Sequence, residues 1–394
     1  MVSVDSESFL AVVAVAALAA FVAGMVAGRV PVPVVVLEIV LGIVIGPELL
    51  GLAQPDAFLN FFANLGLGLL FFFAGYEIDF QRIRGSPLRL ALLGWLLSLL
   101  LAYALGGLLV LTGVVLSTLF VGSAMATTAI GTLLPILSDA GEMRSRFGTF
   151  LLAAGAIGEF GPILLVTLVF STKGAAENVA ILIAFVLVAV VASVVAVRGV
   201  GRHWTMLERS LDTSSQLAIR AAVVTIFALV ALASTLGLEL LLGGVAAGVI
   251  VRLALREREV EIFESKLTAV GYGFLIPFFF VVSGIEFDLG ALLDDPVRLL
   301  ELPLFLALFF VVRGVPALLF YEREFERRDR LALGFFSATQ LPLVVAITTI
   351  AVEQGHMRSS TAASLVGAAV LSTTIFPLVA LRLRRDSPAA AVGA

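Results

Sequence analysis

Apolar residues along this chain fall in long blocks, not in alternation. Runs long enough to cross a bilayer, roughly 17–25 residues each, lie at about 9–28, 34–50, 58–76, 88–112, 114–138, 147–171, 179–198, 216–236, 238–255, 266–285, 300–321, 331–353 and 360–383. The segments between them hold most of the charge. This pattern predicts an all-α polytopic membrane protein with thirteen spans. The first run follows Asp5 and Glu7 and has no basic segment before it, so it reads as a span and not as a cleavable leader.

Charge tests the count. With the N-terminus outside, thirteen spans place 21 of the 25 lysines and arginines on the inner side. Lys173, Arg298 and Arg358 fall outside, and Arg313 falls within a span. That is the asymmetry of the positive-inside rule. It predicts a multi-pass protein of the inner membrane with a cytoplasmic C-terminus.

The runs also repeat. Gly75, Glu77 and Asp79 end one apolar run, and Gly284, Glu286 and Asp288 end another. LEIVLG at 37–42 is answered by LELLLG at 238–243, and SAMATT at 123–128 by SATQLP at 337–342. Each pair is seven spans apart, an odd number, so the two copies run in opposite directions through the membrane. The expected fold is two inverted-topology repeats. Residues 1–171 form the first, 172–215 a connecting span and inner linker, 216–385 the second, and 386–394 a short tail. Inverted repeats in an apolar chain mark secondary transporters, with a site near the midplane. Duplication without functional meaning is the plainer alternative.

Composition agrees with the solvent and narrows the chemistry. The chain is 60% hydrophobic and 14% charged, against about 25% charged in soluble domains. A net charge of −4 gives no footprint for nucleic acid. There is no cysteine, and the two histidines, His203 and His356, sit in expected loops, so no thiol chemistry and no transition-metal site is expected. No phosphate loop or nucleophile motif appears, so the chain is not expected to be an enzyme or to carry a cofactor.

Ionisable groups deep in a span are costly and point to function. Glu159 and Arg313 lie mid-span, in different repeats and at similar depth, and read as natural partners. A buried ion pair that only fixes packing is the other reading. Two spans carry polar islands: Ser123, Thr127 and Thr128 in the fifth, with Gly131 and Pro135 after them, and Ser337, Thr339 and Gln340 before Pro342 in the twelfth. Hydroxyls, an amide and helix breakers at matching points predict two discontinuous helices that cross beside Glu159. Intrahelical Ser and Thr bonding is the alternative for either span alone. Glu38 and Glu239 begin equivalent spans and read as structural acids favoured by the helix macrodipole. The charged segments 198–216, 255–266 and 321–330 read as an interfacial linker and two inner loops.

These residues resemble a known family, the bacterial monovalent cation:proton antiporters, which includes Na+/H+ exchangers and the membrane parts of K+ efflux systems. LGIVIGP at 41–47, GYEIDF at 75–80 and ATTAIGTLLPILSDAGEMRSRFG at 126–148 carry the likeness, which runs over nearly the whole chain. The resemblance implies an acidic cation site in the sixth span, where Glu159 stands. The family's polar neighbour is replaced by Gly158. It implies a basic residue in the eleventh span, where Arg313 fits, and broken helices at spans five and twelve. It further implies a homodimer and a mobile core of spans 4–6 and 11–13 on a scaffold of spans 1–3 and 8–10. The nucleotide-binding domain of some efflux relatives is not expected here.

The resulting expectation is alternating-access exchange of a monovalent cation, Na+ or K+, for H+, with a role in pH homeostasis. Glu159 would carry one dehydrated cation or one proton. Thr127, Thr128, Ser337 and Thr339 would replace part of the hydration shell, and Arg313 would be a fixed countercharge. With one exchangeable carboxylate, exchange would be electroneutral. A sodium-coupled organic anion symporter of similar architecture and a cation channel are the alternatives.

Overall fold

The computed structural model describes residues 5–26, 33–77, 82–169, 180–192, 194–195, 215–236, 240–254, 257–293 and 296–385. Every regular element among these residues is a helix: α1 (Ser6–Val26), α2 (Val34–Ile45), α3 (Ala57–Tyr76), α4 (Ser86–Leu111), α5 (Thr118–Met125), α6 (Ile130–Asp139), α7 (Arg146–Val169) and α8 (Ala180–Ala192). The second half holds α9 (Leu217–Thr235), α10 (Leu240–Ala254), α11 (Glu257–Val270), α12 (Ile276–Ile285), α13 (Leu289–Leu293), α14 (Pro296–Phe320), α15 (Arg327–Ser337), α16 (Pro342–Glu353) and α17 (Ser359–Arg385). Among the described residues, nine helical segments are long and apolar enough to cross a membrane, and four more are shorter and apolar. Between them they coincide with every span expected from the sequence.

Several ends follow from local chemistry. Helix α2 stops at Gly46, which is followed by Pro47, so it is shorter than the apolar run that contains it. Asp56 caps α3, its carboxylate accepting from the Leu59 N–H at 2.6 Å. The segment expected as a loop at 255–266 is helical from Glu257. Its Phe263 and Leu267, one turn apart, are 1% and 2% exposed, so an apolar stripe overrides the charge. A π-helical turn, Gly271–Leu275, joins α11 to α12. The repeated Gly-x-Glu motif ends a helix each time, at Tyr76 in α3 and at Ile285 in α12. Asp79, His203, Glu239 and most of the 198–216 linker lie outside the described residues.

The chain divides into two compact units. One comprises Met1–Val13, Pro55–Ile78 and Ile163–Val282. Within it α3 and α10 pack backbone to backbone. A Cβ on Gly248 would lie 2.6 Å from the Tyr76 nitrogen and collide with the Phe72 carbonyl. Only glycine permits that approach. Phe9, Phe58, Phe62 and Phe278 form an aromatic cluster with centroids 5.1–5.6 Å apart.

The other unit comprises Ala14–Gln54, Asp79–Pro162 and Ser283–Ala394. Around Phe147, Phe150, Leu333, Phe336 and Tyr321 it has an apolar core. At the edge of that core Arg384, near the end of α17, is ion-paired with Glu142 at 2.7 Å and with Asp329 at 3.0 Å, and its guanidinium lies 4.4 Å from the Phe147 ring centroid. The pieces of this unit come from both expected repeats, and every candidate site residue lies in it.

Candidate functional site

Two helices of this unit are broken, as the polar islands predicted. The first break is Ala126–Ala129, between α5 and α6. No proline forces it. Two β-branched threonines stand there, and their hydroxyls compete with the helical ladder. The second break is Ala338–Leu341, between α15 and α16. Here Pro342 has no N–H, and its ring would clash with the carbonyl one turn back. It starts α16 at the position where a missing donor costs nothing.

The breaks are stitched to each other. The Ala129 N–H donates to the Thr339 carbonyl at 2.8 Å, and the Thr128 hydroxyl donates to the Ser337 carbonyl at 2.6 Å. The Gln340 amide donates to the Met125 carbonyl at 2.8 Å, and its Oε1 lies 3.2 Å from the Thr127 hydroxyl. Further bonds hold the breaks to their neighbours. The Thr128 N–H donates to the Gly158 carbonyl of α7 at 3.0 Å, and Gln340 is bonded through its backbone to Ser372 and Thr373 of α17. Thr127, Thr128, Ser337, Thr339 and Gln340 are all buried. Sequence reasoning named the first four as ligands, and the structure brings all four together.

Glu159 follows Gly158 in α7 and is 3% exposed, and its Oε2 is buried without a hydrogen-bond partner. Burial alone does not single it out, because Glu38 at 3% and Glu301 at 4% are just as deeply enclosed. Glu38 also lies beyond the first turn of α2, which holds no acid, so the macrodipole reading of that residue fails. Position is what distinguishes Glu159. Gly155, one turn earlier on the same face of α7, packs against Ile130, the first residue of α6. Glu159 therefore lies on the face that the N-terminal end of α6 meets, where the macrodipole favours an anion.

The expected direct pairing of Glu159 with Arg313 is not formed. No carboxylate of the described residues lies within 4.0 Å of the Arg313 guanidinium. Its Nε and Nη2 donate to the Thr128 hydroxyl at 2.9 and 2.7 Å, Nη2 also to the Ala154 carbonyl at 3.1 Å, and Nη1 to the Ser98 hydroxyl at 3.2 Å. Helix geometry gives the reason. Arg313 meets the face of α7 that carries Ala154 and Gly158, and Glu159 lies about 100° around the helix from Gly158.

Three polar residues of α4 were missed by the sequence reading. Besides Ser98, the Trp95 indole N–H donates to the Ala126 carbonyl at 3.3 Å, and the Tyr103 hydroxyl lies 3.1 Å from Ser123 Oγ. Their spacing puts them on one side of α4, which was the available signal. A cavity of about 260 Å³ lies between the 283–288 segment, α16 and α17, lined in part by Glu286, Asp288, Glu353, Thr348 and Thr349.

With this geometry in hand, comparison with known proteins is specific. Residues 16–381 match the family model described as "Sodium/hydrogen exchanger, transmembrane". The chain is 28% identical over 357 residues to the putative Na(+)/H(+) antiporter YjbQ of Bacillus subtilis, covering 86% of this chain and 57% of that protein. It therefore spans just over half the length of that relative. It is 26% identical to the probable Na(+)/H(+) antiporter 3 of Methanocaldococcus jannaschii, over 85% of this chain and 86% of that one. It is 27% identical to the Na(+)/H(+)-K(+) antiporter GerN of Bacillus cereus, over 62% and 63%. The solved structure of the sodium proton antiporter MjNhaP1 from Methanocaldococcus jannaschii at pH 8 shares the fold, with a TM-score of 0.67 at 16% identity over 98% of this chain and 97% of that one.

Proposed function

Because the chain belongs to the sodium/hydrogen exchanger family, we propose that it exchanges Na+ or another monovalent cation for H+ by alternating access. One observation carries this reading. Glu159 is a buried carboxylate next in the chain to Gly158, whose carbonyl bonds the first of two helix breaks that are themselves bonded together, and the hydroxyls and carbonyls of such breaks can replace water around a bare ion. Glu159 holds one cation or one proton at a time. Thr127, Ser337 and Thr339 contribute oxygens, and Arg313 supplies a fixed positive charge. The names of the relatives support Na+ as the cation, with K+ as a further candidate.

The wider arrangement belongs to the same proposal. The N-terminus lies outside, on the strength of the charge asymmetry. The inverted repeats exchange access on either side, and the protein works as a homodimer, on the strength of the resemblance. Spans 4–6 and 11–13, which hold both breaks, are the part that moves, on the strength of the resemblance.

The symporter alternative would use Arg313 to hold an organic anion. Four of the five N–H donors of Arg313 are instead committed to Ser98, Thr128, Ala154 and Ser337, which weighs against it. Proton flux from proteoliposomes, with Na+, K+ and Li+ in turn and with organic acids added to sodium-loaded vesicles, tests the proposal. Cation-dependent proton movement is the expected result. Sodium-dependent uptake of an organic acid, with no proton movement against any cation, contradicts it.

A further inference from the structure

We propose that Thr128 and Ser98 are positioning residues that seat the Arg313 guanidinium in the space left by Gly158, and that Thr128 does not ligate the transported cation. This deepens the exchange reading above and rests on it for its transport arm. A hydroxyl has one proton to give and two lone pairs to receive with. Thr128 gives its proton to the Ser337 carbonyl at 2.6 Å and receives from Arg313 Nε at 2.9 Å and Nη2 at 2.7 Å. Nothing is left for an ion.

Ser98 follows the same rule. It donates to the Gly94 carbonyl at 3.0 Å and accepts from Arg313 Nη1 at 3.2 Å. The two hydroxyls, from α4 and the first break, grip opposite parts of the guanidinium fork. Gly158 makes room for it. A Cβ there would collide with Arg313 Nη2 and stand 2.6 Å from Thr128 Oγ1.

Thr127 is different. Its one proton goes toward the Ala124 carbonyl at 2.9 Å or Gln340 Oε1 at 3.2 Å, and both its lone pairs remain for a cation. Adjacent threonines thus divide the work, Thr127 for the ion and Thr128 for the arginine. The positive charge is held by neutral acceptors at a fixed place beside the carrier. A lysine at 313, with a single ammonium, could not reproduce the fork.

The test uses the purified full chain. In proteoliposomes, sodium-driven proton flux is measured against sodium concentration for Thr128→Val, Thr128→Ser, Ser98→Ala and Thr127→Val. Loss of one charge-assisted bond corresponds to about a tenfold effect. Thr128→Val, which removes two such bonds, lowers the maximal rate by at least about that factor with KM for Na+ within about twofold, and Thr128→Ser restores the rate. Ser98→Ala lowers the rate in the same way. Thr127→Val instead raises KM. A Thr128→Val protein with severalfold higher KM and an unchanged maximal rate would make Thr128 a ligand and overturn the proposal, and so would wild-type behaviour.

A second arm needs no transport. Thr128→Val lowers the melting temperature of the purified protein more in the wild-type background than in an Arg313→Ala background, where only its bond to the Ser337 carbonyl is left to lose. Equal losses in both backgrounds overturn the seat. If the wild type moves no protons against any cation, the exchange reading fails, and the melting cycle still decides the role of Thr128.

Discussion

Arg313 Nη2 occupies the place that a side chain at Gly158 would need. Gly158 and the arginine of another helix are therefore one feature. Gly158→Ala is predicted to lower stability by about 1–3 kcal/mol, the usual cost of overpacking. In an Arg313→Ala background the same change is predicted to cost less, because only the close approach to Thr128 remains. Melting temperatures of the four proteins in this cycle check the claim.

Gln340 ties the two breaks together through Met125 and Thr127. Gln340→Met fills similar volume but leaves the Met125 carbonyl buried without that donor. Such a loss costs about 1–3 kcal/mol. A lower melting temperature and a slower maximal exchange rate are expected together. An unchanged melting temperature would show that the stitching between the breaks is not needed.

Arg384 is clamped between Glu142 and Asp329, with side-chain exposures of 9%, 13% and 4% for the three. Removing one partner of a buried ion pair costs about 3–5 kcal/mol, because the remaining charge is stranded. Arg384→Ala is predicted to lose stability on that scale. Thermal unfolding of the purified variant measures it, and a shift too small to resolve would mean that water reaches the two acids.

Stoichiometry follows from the charges at the site. An arginine stays protonated at any pH a cell reaches, so Arg313 cannot release a proton when a cation binds. Gly158 cannot titrate either. With Glu159 as the single exchanging group, the loaded carrier has the same charge with H+ as with Na+. One-for-one electroneutral exchange is predicted. In proteoliposomes with the potential set by valinomycin and K+, an imposed potential alone should drive no net proton uptake against Na+.

Much of this was legible in the chain, for physical reasons. Helices in lipid must be long and apolar, so the spans could be read from hydropathy, and Pro342 with its hydroxyl neighbours marked the second break. The replacement at Gly158 was visible as a change, but its cause depends on a contact from α14 that no local pattern encodes. For the same reason Glu159 and Arg313 read as partners: similar depth was readable, whereas the helix face was not. Ser98 and Trp95 were single polar residues in a long apolar run, and only the fold gives them Arg313 and Ala126 to bond. The charged segment at 255–266 read as a loop until packing of Phe263 and Leu267 made it helix α11.

The central claim is that Glu159 carries both the proton and the cation, and a conservative change at that residue tests it most directly. Glu159→Gln keeps the shape and removes the ionisable group. Sodium-driven proton flux is measured in proteoliposomes containing equal amounts of folded wild-type and variant protein. The account predicts flux from the wild type and none above protein-free vesicles from Glu159→Gln. Normal exchange by the variant would contradict it and would move the carrier role to another buried acid, with Glu38 and Glu301 the first to examine.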